Sequence, residues 1–121
     1  MACVFEWSDT SERWDLLGTP MLGNSQLSAE FGAGVELAGS AKVVGISVPP
    51  NYVVYEYTND EWEQVGQDIV EVDEQAEDMA LKDWIGKVLA VSDDGRTIAS
   101  PYSASIYSLV DDETQTRWVD R

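Results

Sequence analysis

Apolar and polar residues along the chain fall into short runs of strand length. Val4-Phe5-Glu6-Trp7, Val43-Val44-Gly45-Ile46, Tyr52-Val53-Val54-Tyr55-Glu56-Tyr57, Val88-Leu89-Ala90-Val91 and Ile106-Tyr107-Ser108-Leu109-Val110 are rich in β-branched and aromatic residues. Such residues pack well on a pleated surface. Turn-forming groups lie between them: Gly39-Ser40, Pro49-Pro50-Asn51, Thr58-Asn59-Asp60, Asp93-Asp94-Gly95 and Asp111-Asp112. Asp94-Gly95 sits between two apolar runs, where glycine's tolerance of positive φ suits a tight hairpin. The pattern predicts an all-β chain. Glu71 to Lys82 reads as an acidic loop, with a short helix as the alternative.

The runs recur in order. Val4-Phe5-Glu6-Trp7 returns as Val54-Tyr55-Glu56-Tyr57, and more loosely as Ile106-Tyr107-Ser108-Leu109. Each copy is followed by a polar turn and a tryptophan: Trp14, Trp62 and Trp118. In the first two copies a glycine stands four places after the tryptophan, at Gly18 and Gly66. Then comes a polar loop and a strand entered through Gly32 or Gly86, ending at Leu37 or Val91. A further strand follows at Lys42-Val43-Val44-Gly45 and at Arg96-Thr97-Ile98-Ala99. Successive landmarks are offset by 50, 48 and 54 residues, the drift that loop-length variation produces between repeats.

Each repeat therefore holds four short strands in roughly 50 residues, the pattern of a β-propeller blade. The expected fold is all-β, with four-stranded antiparallel repeats of propeller type and about two and a half blades in the chain. One domain is expected over 1–121, divided into a half-blade (1–23) and repeats at 24–70 and 71–121. A single blade cannot bury both faces, so bulky residues must fill the gaps between stacked blades. Trp14, Trp62, Trp118, Phe5, Trp7, Tyr55 and Tyr57 are assigned to that packing.

The stretch Val54-Tyr55-Glu56-Tyr57…Glu61-Trp62-Glu63-Gln64-Val65-Gly66-Gln67-Asp68-Ile69, continuing through Gly86 and Leu89-Ala90-Val91-Ser92-Asp93-Asp94-Gly95 to Ile98-Ala99, resembles a blade of the FG-GAP/integrin-α-like propeller repeats. Bacterial and algal members of that group share a pattern W-x-Q-L-G-x-x-I, then S-V-x-L-S-x-D-G-x-x-x-A. The resemblance is close from Glu61 to Ala99. The earlier copy has Gly39-Ser40-Ala41 in place of the Asp-Gly turn, and the last copy keeps little beyond Trp118. The resemblance implies fold rather than activity. It also implies a strand order from innermost to outermost: Gly32 to Leu37, Lys42 to Val48, Tyr52 to Thr58, Trp62 to Ile69. Gly86 to Ser92 and Thr97 to Ser100 then open the next blade, and Cys3 to Trp7 with Arg13 to Leu17 form the outer half of a preceding one.

Closed propellers need at least about four blades, and a half-blade exposes sheet edges and apolar faces. Two resolutions rank equally: a homo-oligomer in which the half-blade supplies strands to a neighbour's final blade, or two sheets packed as a small sandwich. An excised fragment ranks behind them, because the chain opens with Met1 and no ragged linker.

Composition narrows the function. The chain has 121 residues, 44% of them apolar, which suits one domain with a real core. Twenty-three acids against 7 bases give a net charge of −16, which disfavours nucleic acid and anionic membranes as partners. The acidity fits either a saline habitat or the solubility needs of a sheet-rich chain. With no histidine, histidine-based hydrolysis and histidine metal ligation are excluded. The single cysteine, Cys3, can close no intrachain disulfide and is placed in a frayed N-terminus. The start of the chain does not read as a signal peptide, and no stretch reaches the roughly 18 apolar residues of a membrane span. A soluble, unsecreted chain is expected.

Asp93-Asp94-Gly95 resembles a minimal calcium turn but has only Ser92 and Asp94 as evenly spaced oxygen ligands, so it is read as a structural turn. The five acids of Glu71 to Asp78 are read as a solvated loop. No residue is assigned a catalytic, cofactor-binding or metal-ligating role, and no cofactor is expected. The expected function is a non-enzymatic protein-interaction or scaffold module whose partner is another protein or its own subunits. The alternative is a glycan-binding lectin, with exposed aromatics such as Tyr52 or Trp84 stacking on sugar rings. A hydrolase with paired carboxylates is the third class.

Overall fold

The computed structural model describes residues 1–22, 32, 34–48, 51–70, 90–100 and 105–121. Among them lie eleven β-strands and no helix. They are β1 (Ala2–Ser8), β2 (Arg13–Met21), β3 (Gly34–Leu37), β4 (Val43–Val48), β5 (Asn51–Thr58), β6 (Glu61–Gln64), β7 (Ile69–Val70), β8 (Ala90–Val91), β9 (Thr97–Ser100), β10 (Ser105–Asp111) and β11 (Thr116–Asp120). All pair antiparallel, in three sheets. The first is β1-β2. The second runs β3-β4-β5-β6, with β7 also on β5. The third runs β8-β9-β10-β11. The helix-or-loop segment from Glu71 to Lys82 lies outside the described residues.

The three sheets stack in chain order. Ala2, Met21, Val4 and Leu17 of the first sheet pack against Val44, Ile46, Val48, Val53 and Trp62 of the second. On the opposite face of the second sheet, Val43, Tyr52, Val54 and Ile69 pack against Ile98, Trp118, Tyr107 and Leu109 of the third. The second sheet is thus covered on both faces. This explains why all six residues of β4 are buried and why its sequence is a nearly unbroken apolar run rather than an alternation.

The turns follow local chemistry. Asn59 and Asp60 both have positive φ (53° and 65°) between paired Thr58 and Glu61, as a two-residue hairpin requires. Gly95 (φ 74°) closes the β8–β9 hairpin, its N–H donating to the Ser92 carbonyl at 2.9 Å. Ala41 occupies the matching place in the β3–β4 hairpin. Its φ is 59°, and its N–H donates to the Ala38 carbonyl at 2.8 Å. The Gly39-Ser40-Ala41 turn therefore has the backbone of the glycine turn without the glycine that makes it easy.

Three expectations need correction. The strand predicted from Trp62 to Ile69 is two strands, because Gly66 turns left-handed (φ 70°) and breaks the ladder between β6 and β7. Cys3 is not in a frayed end; it lies half-buried within β1, at a register shift between Ala2 and Val4. The half-blade is also not needed to complete a neighbour's final sheet, since β8 to β11 already supply four strands.

Candidate functional site

The joints between sheets are built from the repeated tryptophan and glycine. Trp62 of the second sheet reaches to the first, and its indole N–H donates to the Leu17 carbonyl at 2.8 Å. Trp118 of the third sheet reaches to the second and donates to the Val65 carbonyl at 3.1 Å. Each acceptor immediately precedes a left-handed glycine, Gly18 or Gly66, both with φ 70°. A Cβ on either glycine would stand 2.8 Å from Cδ1 of the incoming indole, so the contact needs glycine for space as well as for conformation. The second joint is reinforced by Gln67. Its side-chain amide accepts from the Trp118 main-chain N–H at 2.9 Å and donates to the Trp118 carbonyl at 2.8 Å. The Tyr52 hydroxyl also meets the Ser100 hydroxyl at 3.2 Å between the same two sheets.

Trp14 stands at the corresponding place in the first sheet and makes no such joint with any described residue. It is 64% exposed, against 6% for Trp62 and 4% for Trp118. The pairing of β1 with β2 sets Trp7 opposite Trp14 and Phe5 opposite Leu16. These four side chains share the face turned away from the second sheet, and all are exposed. The Trp7 and Trp14 rings meet edge to face, 5.5 Å between centroids and 67° apart, a favoured aromatic geometry. Trp7 donates its indole N–H to Asp9 at 3.0 Å, whereas Trp14 donates to no other described residue. In the second sheet the same register carries Tyr55, Tyr57 and Trp62, whose rings pack on the first sheet. Burial there, followed by the nearby Asp68 carboxylate, pushes the Tyr55 phenol above its ordinary pKa.

Other sequence-derived candidates are placed differently. Tyr52, expected as an exposed sugar-stacking residue, is wholly buried (0% exposed) in the core between the second and third sheets. Trp84 and the acidic run from Glu71 to Asp78 lie outside the described residues. Asp94 is committed to its turn. Its carboxylate accepts from the Ser92 hydroxyl at 2.7 Å and the Arg96 N–H at 3.0 Å, which holds its pKa below the usual carboxylate range. Asp112 is lowered in the same way by the Thr114 N–H and hydroxyl and the Gln115 N–H. Asp111 is lowered by the Thr116 hydroxyl and the Arg96 guanidinium. Among the described residues no three acids or cysteines gather as metal ligands would. A cleft of about 80 Å³ between the second and third sheets, lined by Val43, Glu56, Asp94, Arg96 and Leu109, has room for a few waters.

The exposed aromatic face was assigned in sequence to packing between blades. Among the described residues no sheet packs on Phe5, Trp7 and Trp14, unlike their counterparts in the second sheet. Compared with protein-family models, curated proteins and solved structures, the chain matches none.

Proposed function

We propose that the chain is a non-enzymatic protein-interaction or scaffold module built from propeller-type repeats of the FG-GAP/integrin-α-like kind. The observation that carries this reading is the face of Phe5, Trp7, Trp14 and Leu16. Its counterpart in the second sheet is buried against a neighbouring sheet, while this one is open. Contiguous exposed apolar surface on a folded chain marks an interaction site, and aromatic side chains dominate the energetics of protein interfaces. A net charge of −16 keeps such a chain dispersed and steers it away from polyanions.

Co-purification from a native extract tests the reading. The immobilised chain is expected to retain a specific protein, and a Trp7→Ala/Trp14→Ala double variant to lose it. Retention by both forms, or a glycan-array signal in place of protein capture, would move the assignment to another surface or to the lectin class.

A further inference from the structure

The two joints inside the chain define a rule that can be applied once more. Each joint takes an indole N–H from one sheet and a main-chain carbonyl three residues after the preceding sheet's tryptophan. Leu17 follows Trp14 at that spacing and Val65 follows Trp62. Three residues after Trp118 stands Arg121. Its main chain is held as Val65 is held. The Val65 N–H donates to the Val54 carbonyl at 2.8 Å, and the Arg121 N–H donates to the Ile106 carbonyl at 2.8 Å. Ile106 is the counterpart of Val54 in the repeat. Arg121 thus repeats the main-chain hold of Val65, the glycine position that follows each acceptor falling outside the 121 residues, and no tryptophan of the described residues donates to it. A third donor, Trp14, stands on the near face of the first sheet and donates to no carbonyl of the described residues. Apolar side chains surround each. Phe5, Trp7 and Leu16 accompany the donor; Ile106, Val110 and Val119, all exposed, lie on the third sheet's open side.

We infer that these two faces bind each other between copies of this chain. Trp14 of one copy docks on the main chain at Arg121 of the next, continuing the stack head to tail. The inference rests on the interaction-module reading above and names the partner for its aromatic face. The contact is heterologous, since donor and acceptor faces differ, so successive copies close into a ring or extend as a filament. Self-repulsion from the net charge opposes the contact and salt screens it within a Debye length of about 8 Å near physiological strength. Apolar burial is not weakened by that screening, so association tightens as salt rises.

Analytical ultracentrifugation of the 121-residue chain across protein concentration and salt tests this. Wild type is expected to associate, more tightly at high salt. Trp14→Ala is expected to weaken association by about thirtyfold or more, the scale of an interface hot spot. Its urea midpoint at low concentration should stay close to wild type, because within the chain the exposed Trp14 ring meets only the exposed Trp7 ring, edge to face. Ile106→Asp, at the other end, is expected to weaken association equally. Mixing Trp14→Ala with Ile106→Asp should restore a 1:1 heterodimer and nothing larger, because each variant keeps one intact face. A wild type that stays monomeric at high salt and high concentration overturns the inference. So does undiminished association of Ile106→Asp, which would mean that two aromatic faces pair with each other. A monomer whose tryptophan fluorescence saturates with oligosaccharide also overturns it. A monomer that still captures a different protein through Trp14 ends self-assembly and leaves the module reading standing.

Discussion

The indole N–H of Trp62 donates to the main-chain carbonyl of Leu17 at 2.8 Å, across the gap between two sheets. The bond satisfies a polar edge that would otherwise be costly in an apolar seam. It also fixes which point of one sheet faces which point of the next. The same bond between Trp118 and Val65 makes the arrangement a repeated joint.

The glycines of the joint should resist substitution. Gly66→Ala would place a Cβ 2.8 Å from the Trp118 ring at a φ of 70°. Left-handed backbone costs an L-residue roughly 1–2 kcal/mol, and overpacking adds to it. A loss of about 2–3 kcal/mol is expected in urea unfolding. An unchanged midpoint would mean that the third sheet is not seated on Gly66.

Trp62 and Trp14 should separate sharply. Trp62→Ala is expected to cost about 3–5 kcal/mol, the range for emptying a large aromatic site. Trp14→Ala, measured on dilute monomer, should cost no more than about 1 kcal/mol, the scale of its exposed edge-to-face contact with Trp7. Equal effects would contradict the stacking order.

Ala41 offers a stabilising change. Its φ of 59° is the conformation that Gly95 adopts in the matching turn. Ala41→Gly removes the left-handed strain and adds back some unfolded-state entropy, for a net gain of about 0.5–1 kcal/mol. A higher thermal midpoint is the expected result, and a lower one would show that the turn is not strained.

Acid should weaken the turn at Asp94. Its pKa is lowered in the folded chain by the Ser92 hydroxyl and the Arg96 N–H. The carboxylate therefore contributes stability that is fully present above the unfolded value of about 3.9 and is lost as pH falls through the lower folded value. The difference in urea midpoint between wild type and Asp94→Ala should be visible at about pH 6 and shrink below about pH 4. A gap that does not change with pH would place the effect of the substitution elsewhere.

Much of the strand layout was legible in sequence. The runs around Val44, Val54 and Ile106 are β-branched and aromatic enough to leave few alternatives, and Asp94-Gly95 announces its hairpin. Exposure was less legible. Trp14 and Trp62 sit in the same local pattern, and what separates them is whether another sheet stands in front. Tyr52 looks like an accessible aromatic after a proline pair, yet it is buried because the third sheet closes over it. The break at Gly66 was hidden because a glycine in a strand-like run marks a bend only when a partner's ring arrives to require it. Ala41 gave no signal, since its left-handed turn is set by the hairpin it must close.

The four-residue spacing from Trp14 to Gly18 and from Trp62 to Gly66 places one half of two different joints in a single short segment. Tandem duplication of such a segment copies a donor and an acceptor together, and each new unit arrives already fitted to both neighbours. A chain of this design can gain or lose a whole unit while each remaining seam keeps its donor and its acceptor.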